Sequence, residues 1–219
     1  MRENNSKVQV EQTHYDFGLY VNRERWLSYY HQIEEVLKAI EKTNGIGEVL
    51  VIGVGDMLVV DILKKNGIKV VTFDFDSSLN PDIVGDVKRI DDISGTNRFS
   101  CVMCCQVLEH INGKYFEDII KRISRICTKT FILSLPSQYK KIEIRLKIRN
   151  WEVKRRIMLT KSVLPKYLFN GEHWWELGTR GYELEKITHL VSKYFKLERT
   201  YFVDENEYHC FFILQSKLQ

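Results

Sequence analysis

The sequence lacks the long apolar runs that membrane insertion and export require. No N-terminal segment joins a basic region to an apolar run, and Asp56 and Asp61 interrupt the most apolar segment, residues 49 to 63. A membrane-spanning helix needs about 20 predominantly apolar residues, and a secretory signal needs an apolar core behind a basic start. The sequence therefore predicts a cytoplasmic protein without a transmembrane segment or an export signal.

The chain of 219 residues contains five cysteines, an odd number. A domain of this length buries a full core without disulfides. Cys101 and Cys104 form a C-x-x-C pair inside the apolar run F-S-C-V-M-C-C, and no second Cys or His pair stands near them at ligand spacing. The sequence therefore predicts free thiols in a reducing compartment and no metal site.

The sequence contains no internal repeat and no low-complexity segment. Residues 1 to 20 are polar and predict a flexible N-terminal arm, and residues 21 to 219 predict a single domain. Ten Lys or Arg stand against two Glu between residues 139 and 167, while the whole chain carries a formal charge of +4. The basic character is therefore local, in an insertion at about residues 137 to 172 that we expect to form a lid.

Hydrophobic periodicity predicts alternating strands and helices. Continuous apolar runs predict buried strands at residues 48 to 53, 68 to 74, 99 to 106 and 130 to 135. Residues 80 to 87 have room only for a turn and a short strand, so the helix that usually precedes such a strand is missing. Residues 195 to 203 and 209 to 215 predict a closing antiparallel hairpin. This order predicts an α/β fold with a parallel sheet.

Helical spacing of apolar residues indicates the buried faces of three helices. The first precedes the first strand, the second follows the strand at 99 to 106, and the third precedes the closing hairpin. The predicted inward residues are Trp26, Tyr29, Tyr30, Ile33, Leu37 and Ile40 in the first helix, Phe116, Ile119, Ile120, Ile123 and Ile126 in the second, and Leu184, Ile187, Leu190, Val191 and Tyr194 in the third.

Distinctive residues stand at the ends of three of the predicted strands. They are Gly53-Val54-Gly55-Asp56, Asp74 and Cys105-Gln106. Ligands of open α/β sheets bind at the carboxyl ends of the strands, and a glycine turn lets the backbone approach a ligand closely. Asp74 is placed to accept hydrogen bonds from ribose hydroxyls, with Asp76 as the alternative. The pattern predicts a nucleoside ligand, and Leu58, where a third glycine would stand, argues against NAD.

Four motifs resemble, in order, the successive motifs of class I S-adenosylmethionine-dependent methyltransferases. They are V-L-V-I-G-V-G-D, V-V-T-F-D, D-I-V-G-D-V and F-S-C-V-M-C-C-Q-V-L-E-H-I. The chain is especially similar to bacterial and archaeal members with S-L-P after the fifth strand and H-W-W-E-L-G later. The resemblance covers residues 20 to 216. It implies a Rossmann-like, seven-stranded, mostly parallel sheet with an antiparallel last strand and helices on both faces.

The resemblance also implies S-adenosyl-L-methionine as the cofactor and assigns residues to it. Those residues are Gly53, Gly55, Asp56, Asp74, Asp86, Val87 and Gln106. The glycines would line the methionine part, Asp74 would hold the ribose, Asp86 and Val87 would face the adenine, and Gln106 would lie beside the sulfonium. The chain departs from the family pattern at Val51, where an acid is frequent, at Met57, where a third glycine is usual, and at Ser100, where Asp is common.

His173 and His110 are the candidate catalytic residues. His173 lies in G-E-H-W-W-E-L-G, which we expect to return the chain to the ligand edge of the sheet, where an imidazole could act as a general base. The alternative is a packed aromatic loop in which His173 only satisfies a backbone carbonyl. Glu109 and His110 could equally orient the turn that opens a helix. In the resembling family the segment of Trp26, Tyr29 and Tyr30 closes over the cofactor, and core packing is the alternative.

The basic insertion has three interpretations: a solvated helical lid, a clamp for an anionic substrate, or a surface that contacts lipid headgroups. We expect a small or carrier-linked anionic methyl acceptor, such as a sugar-nucleotide or lipid-linked glycan precursor. A nucleic-acid acceptor is the rival, although no RNA- or DNA-binding module is recognisable. A non-catalytic scaffold and a dinucleotide-dependent oxidoreductase are the remaining alternatives.

Overall fold

The structure is a computed structural model, and it describes residues 22–94, 99–148, 151–159, 164–204 and 206–218. The expected N-terminal arm, residues 1 to 20, lies outside these ranges. In the described part of the chain, no helix combines the length and the apolar character needed to cross a membrane.

The described residues form four α-helices and nine strands. The helices are α1 (Arg23–Glu41), α2 (Leu58–Lys65), α3 (Phe116–Ile126) and α4 (Leu184–Tyr194). The strands are β1 (Val49–Ile52), β2 (Val70–Asp74), β3 (Ile83–Val84), β4 (Phe99–Cys105), β5 (Cys127–Pro136), β6 (Lys140–Ile148), β7 (Trp151–Leu159), β8 (Phe195–Phe202) and β9 (His209–Ser216).

Seven of these strands form one sheet in the order β3-β2-β1-β4-β5-β9-β8. Strands β3, β2, β1, β4 and β5 pair in parallel, and β9 is inserted antiparallel between β5 and β8. The predicted α/β fold, with a mostly parallel seven-stranded sheet and an antiparallel last strand, is confirmed.

Strand β1 is apolar throughout because both faces of the sheet are covered. Side chains of successive strand residues point to opposite faces. In β1, Val49 and Val51 therefore pack with residues of α1 and α2, whereas Leu50 and Ile52 pack with residues of α3 and α4. All four side chains of β1 are buried. Helices lie on both faces, as the sequence predicts.

The predicted inward faces of the helices are confirmed in one case and partly wrong in another. All five predicted residues of α3 are buried. In α1 the buried residues are Ser28, Tyr29, Gln32, Glu35, Val36 and Ala39. Trp26 and Tyr30 are 49% and 57% exposed and Leu37 is 39% exposed, so their predicted inward position is wrong. The buried face of α1 is instead partly polar, because its polar residues have partners elsewhere in the fold.

Two polar residues of α1 show why this face is buried. The Ser28 hydroxyl lies 3.1 Å from Nδ1 of His209 in β9. The carboxylate of Glu35 accepts hydrogen bonds from Arg199 and from the Tyr201 hydroxyl, both in β8. Buried polar groups are tolerated when they are hydrogen-bonded. The position of α1 is therefore fixed by residues more than 160 positions away in the sequence.

The connection between β2 and β3 contains no α-helix, as predicted. A single 3-10 turn, Ser77–Leu79, occupies it, and Asp76 caps that turn by accepting a hydrogen bond from the Ser78 amide at 2.9 Å. The short connection keeps the residues that follow β2 and β3 at the same edge of the sheet.

The basic insertion contains a β-hairpin and not a helix. Strands β6 and β7 pair antiparallel from Lys140 with Leu159 to Ile148 with Trp151 and form a separate two-stranded sheet. The expectation of a helical lid is therefore wrong for this segment. Apolar and charged residues alternate in I-E-I-R-L-K-I, and a period of two residues favours a strand. The hairpin begins just after β5, at the carboxyl edge of the main sheet.

Candidate functional site

The turn after β1 has a left-handed backbone at three positions. Gly53, Gly55 and Met57 have φ angles of 81°, 52° and 63°. A β-carbon at Gly53 would lie 2.3 Å from Cγ2 of Val107, so glycine is required there both for its backbone angle and for its size. Such a turn, followed directly by α2, can present backbone amides to a carboxylate or a phosphate.

Asp56 connects this turn to the first helix. Its Oδ2 accepts a hydrogen bond of 2.6 Å from the Tyr29 hydroxyl, and its Oδ1 accepts one of 3.1 Å from the Leu58 amide. A carboxylate beside the first amides of a helix is also favoured by the helix dipole. Tyr29 is buried, so this side chain of α1 is inward as predicted. The bond holds the N-terminal half of α1 against the turn.

Asp74 is the last residue of β2 and is buried. Its Oδ2 accepts a hydrogen bond from the Val54 amide at 2.9 Å, and its Oδ1 accepts one from the Asp76 amide at 3.0 Å. The carboxylate therefore joins the glycine turn to the loop after β2. Each carboxylate oxygen has a further lone pair, so these bonds are compatible with the predicted contact to a ribose.

Asp86 and Val87 follow β3. Asp86 is partly exposed, accepts a hydrogen bond of 2.9 Å from the Lys88 amide, and lies 3.0 Å from the ammonium of the same lysine. Val87 is buried and belongs to the core on the α3 side of the sheet. An acid and an apolar residue are therefore adjacent at this strand end.

Gln106 follows β4 with a φ angle of 56°, which is unusual for a residue with a side chain. Its amide donates to the Ser134 carbonyl at 3.1 Å, and its Nε2 donates to the Ser134 hydroxyl at 3.2 Å. These bonds to β5 hold the strained backbone in place. The predicted cofactor residues thus follow four adjacent strands, β3, β2, β1 and β4, at one edge of the sheet.

His173 is buried and lies at the centre of a hydrogen-bonded group. Its Nδ1 is 2.7 Å from Oε1 of Glu176 and 3.3 Å from the hydroxyl of Tyr208. Tyr167 and Gln138 also donate to the Glu176 carboxylate. Burial opposes ionisation of His173, but the hydrogen bond to Glu176 and the nearby carboxylates raise its pKa above the ordinary value. Likewise, burial is outweighed by these donors, which lower the pKa of Glu176.

Glu109 and His110 lie against His173. The His110 and His173 rings are edge to face with their centroids 4.7 Å apart, and Nδ1 of His110 is 3.2 Å from the Glu172 carbonyl oxygen. Glu109 is fully buried, and burial raises the pKa of its carboxyl to about 8. Among the described residues, neither of its carboxylate oxygens has a hydrogen-bond partner. The structure therefore brings the two predicted catalytic histidines together.

Trp175 anchors the H-W-W-E-L-G segment at this place. It is fully buried, its indole donates to the Ile111 carbonyl at 3.0 Å, and its ring stacks on Tyr182. The Trp174 amide donates to the Glu109 carbonyl at 2.8 Å. The segment therefore returns to the end of β4, as the sequence analysis expected. The alternative, a packed loop in which His173 satisfies a backbone carbonyl, does not describe its partners, which are Glu176 and Tyr208.

Sequence reasoning missed the residues that hold His173. Glu176 stands three positions later in G-E-H-W-W-E-L-G, while Tyr208 is 35 positions away in the turn between β8 and β9. Only the i, i+3 spacing of His173 and Glu176 was available as a signal. Nothing in the sequence pattern connects Tyr208 or Tyr167 with this group.

Comparisons with solved structures identify the fold. The chain is similar to the PH0226 protein of Pyrococcus horikoshii OT3, with 16% identity, a TM-score of 0.58, and coverage of 95% of this chain and 100% of that one. It is similar to a 1,6-didemethyltoxoflavin N1-methyltransferase of Burkholderia thailandensis with bound S-adenosylhomocysteine, with 12% identity, a TM-score of 0.59, and coverage of 94% and 85%.

A third similar structure is the magnesium protoporphyrin IX methyltransferase of Synechocystis PCC 6803 with bound S-adenosylmethionine, with 14% identity, a TM-score of 0.56, and coverage of 90% and 85%. No protein-family model and no curated protein sequence matches the chain. The chain therefore has the fold of S-adenosylmethionine-dependent methyltransferases over nearly its whole length, at low sequence identity.

Proposed function

We propose that the protein transfers a methyl group from S-adenosylmethionine to a small or carrier-linked anionic acceptor. The observation that carries this proposal is the placement of the glycine turn, Asp74, Asp86 and Gln106 at the ends of four adjacent strands. Two of the solved structures with this fold are methyltransferases that hold S-adenosylhomocysteine or S-adenosylmethionine. We also propose that the protein is related to the bacterial and archaeal class I methyltransferases that carry the S-L-P and H-W-W-E-L-G motifs. We propose a cytoplasmic location for it.

In this proposal the strand ends hold the cofactor. The turn of Gly53, Gly55 and Asp56 lies against its methionine part, Asp74 accepts from the ribose hydroxyls, and the pair after β3, Asp86 and Val87, faces the adenine. Gln106 lies beside the sulfonium. Methyl transfer from a sulfonium requires alignment of acceptor, methyl and sulfur and exclusion of water, so positioning supplies most of the catalysis.

His173 and His110 form the acceptor side of the site. The Nδ1 proton of His173 is directed to Glu176, since a carboxylate oxygen can only accept. Its Nε2 then carries the lone pair and can remove a proton from an acceptor hydroxyl, while Glu176 stabilises the resulting imidazolium. His110 packs edge to face against this ring and limits its rotation.

The charge of the insertion supports an anionic acceptor. Ten Lys or Arg and two Glu lie between residues 139 and 167, and the hairpin of this region starts at Lys140, next to the end of β5. A basic segment beside the ligand edge attracts phosphate or carboxylate groups. Sugar-nucleotide and lipid-linked glycan precursors are acceptors of this class, and contact of the hairpin with anionic headgroups belongs to the same proposal.

The same charge is the observation that favours a nucleic-acid acceptor as the second candidate. A nucleic-acid substrate would show binding that weakens steeply with salt, because each phosphate contact releases counterions. A single small anionic acceptor would show a much shallower dependence.

A label-transfer experiment tests the proposal. The protein is incubated with methyl-labelled S-adenosylmethionine and, separately, with panels of sugar nucleotides, lipid-linked sugars and RNA, and the label in each acceptor is counted. We expect label in a sugar-nucleotide or lipid-linked acceptor, and a loss of rate in His173→Gln that is larger than in the control His189→Gln. His189 is exposed on α4. Label in RNA alone would contradict a small or carrier-linked acceptor and favour a nucleic-acid acceptor.

A further inference from the structure

Three potential metal ligands meet beside the proposed acceptor position. One ligand atom each from Glu109, His110 and His173 lies within 4.8 Å of the others. Glu109 and His110 come from the 3-10 turn after β4, and His173 comes from the returning segment. Two imidazoles and one carboxylate are a ligand set that Zn²⁺ and other divalent transition-metal ions bind, with further positions left for water or substrate.

The carboxylate of Glu109 lacks the partner that its burial calls for. The side chain is fully buried, and neither oxygen accepts a hydrogen bond from any described residue. A buried carboxylate is normally paired, hydrogen-bonded or coordinated to a metal. Its turn is held in place, because the Trp174 amide binds the Glu109 carbonyl at 2.8 Å. A cation between Glu109 and the two histidines would supply the missing partner.

Both histidines are oriented as metal ligands are. Nδ1 of His110 faces the Glu172 carbonyl oxygen at 3.2 Å, and Nδ1 of His173 faces Oε1 of Glu176 at 2.7 Å. Both oxygens can only accept, so both Nδ1 atoms carry a proton, and in the neutral rings, the form that binds a metal, the lone pair lies on Nε2. Histidines that bind metals usually donate their second ring N–H to a carbonyl or a carboxylate in this way.

We propose that Glu109, His110 and His173 bind one divalent transition-metal ion, with Zn²⁺ as the favoured ion. The ligands would be a carboxylate oxygen and the Nε2 atoms of both rings. Ligand atoms around a tetrahedral Zn²⁺ lie about 3.4 Å apart, so the three side chains close by small rotations from their present spread. The sequence predicts no metal site, because its C-x-x-C pair has no second ligand pair nearby and His173 is 63 positions from His110.

The metal site itself does not depend on the proposed function, but its use does. If the protein is a methyltransferase, the open position of the ion would hold an oxygen of the anionic acceptor. A cation coordinated by Nε2 of His173 occupies the lone pair that a general base needs, so metal binding and the general-base role of His173 exclude each other. A metal-dependent methyl transfer would therefore make His173 a ligand.

Metal titration tests the proposal. The protein is stripped of metal with EDTA, dialysed, and titrated with Zn²⁺ alone and, in a separate experiment, with Co²⁺ alone. We expect one Zn²⁺ site by calorimetry, and a Co²⁺ spectrum with ligand-field bands but without a thiolate charge-transfer band, which excludes the cysteines as ligands. Glu109→Gln and His173→Asn should each bind Zn²⁺ at least about tenfold more weakly, whereas the control His189→Asn should bind as the wild type does.

Three results would overturn the proposal: no Zn²⁺ binding by the wild type, unchanged affinity in both ligand variants, or thiolate ligation in the Co²⁺ spectrum. The wild-type spectrum decides the ligand type even if a variant fails to fold. Titration with S-adenosylhomocysteine in EDTA is independent of all of them. Cofactor binding without metal binding would contradict only the proposed metal site. Metal binding without cofactor binding would support the metal site and contradict the proposed methyltransferase function.

Discussion

His209 provides a direct test of how α1 is attached to the sheet. Its ring is 4% exposed, and Nδ1 lies 3.1 Å from the Ser28 hydroxyl of α1. Burial, together with the positive charges of Arg25 and His31, lowers the pKa of His209 to about 3. The unfolded chain has a histidine pKa of about 6.5, so between these values the unfolded state binds more protons than the folded one.

The stability that neutral His209 contributes is therefore complete above about pH 6.5 and is lost progressively as the pH falls towards about 3. Between about pH 7 and about pH 5 the predicted loss in the free energy of unfolding is about 2 kcal/mol. Urea unfolding of the wild type and of His209→Gln at both pH values measures it. The variant should lose about 2 kcal/mol less than the wild type over this interval. An equal loss in the two proteins would show that His209 is not buried in a neutral form.

Two further substitutions test the glycine turn. Gly53→Ala should destabilise the protein by roughly 2 kcal/mol or more in urea unfolding, because the backbone has φ = 81° and the new β-carbon would meet Val107; unchanged stability would contradict the described turn. Tyr29→Phe removes the hydrogen bond to Asp56 and should cost roughly 1.5 kcal/mol, since the acceptor is charged, together with a measurable loss of cofactor affinity. If Tyr29→Phe binds the cofactor as tightly as the wild type does, α1 does not contribute to cofactor binding through this bond.

The buried strands of the main sheet could be predicted because the signal is local. In β1, all four residues are apolar and both faces of the sheet are covered, so a continuous apolar run is sufficient evidence for a buried strand. The buried face of α3 could be predicted in the same way, since Phe116, Ile119, Ile120, Ile123 and Ile126 follow one helical stripe.

The buried face of α1 could not be predicted, because distant residues decide it. Ser28 and Glu35 are buried through bonds to His209, Arg199 and Tyr201, whereas Trp26 stays exposed. A polar residue on a buried face carries no local sign of its partner. The periodicity of apolar residues alone therefore predicts a buried face of α1 that differs from the observed one.

The site shows the same division. The glycine turn and Asp74 could be identified by their position at strand ends, because ligands of open α/β sheets bind at the carboxyl ends of the strands. The hydrogen bond between His173 and Tyr208 could not, because Tyr208 reaches the histidine from the turn between β8 and β9. The hairpin of the insertion is a different case, because the two-residue period of its apolar residues is a local signal for a strand that the charge of the segment does not carry.

Calorimetric titration with S-adenosylhomocysteine tests the central claim most directly. The wild type is titrated beside Asp74→Ala and the matched control Asp76→Ala, with NAD as the control ligand. Among the described residues, the Asp76 carboxylate caps the 3-10 turn after β2 by accepting from the Ser78 amide. We predict binding by the wild type and by Asp76→Ala, a large loss in Asp74→Ala, and no binding of NAD. Binding of NAD without S-adenosylhomocysteine would favour an oxidoreductase, and no binding of either ligand by the folded wild type would contradict the methyltransferase and favour a scaffold.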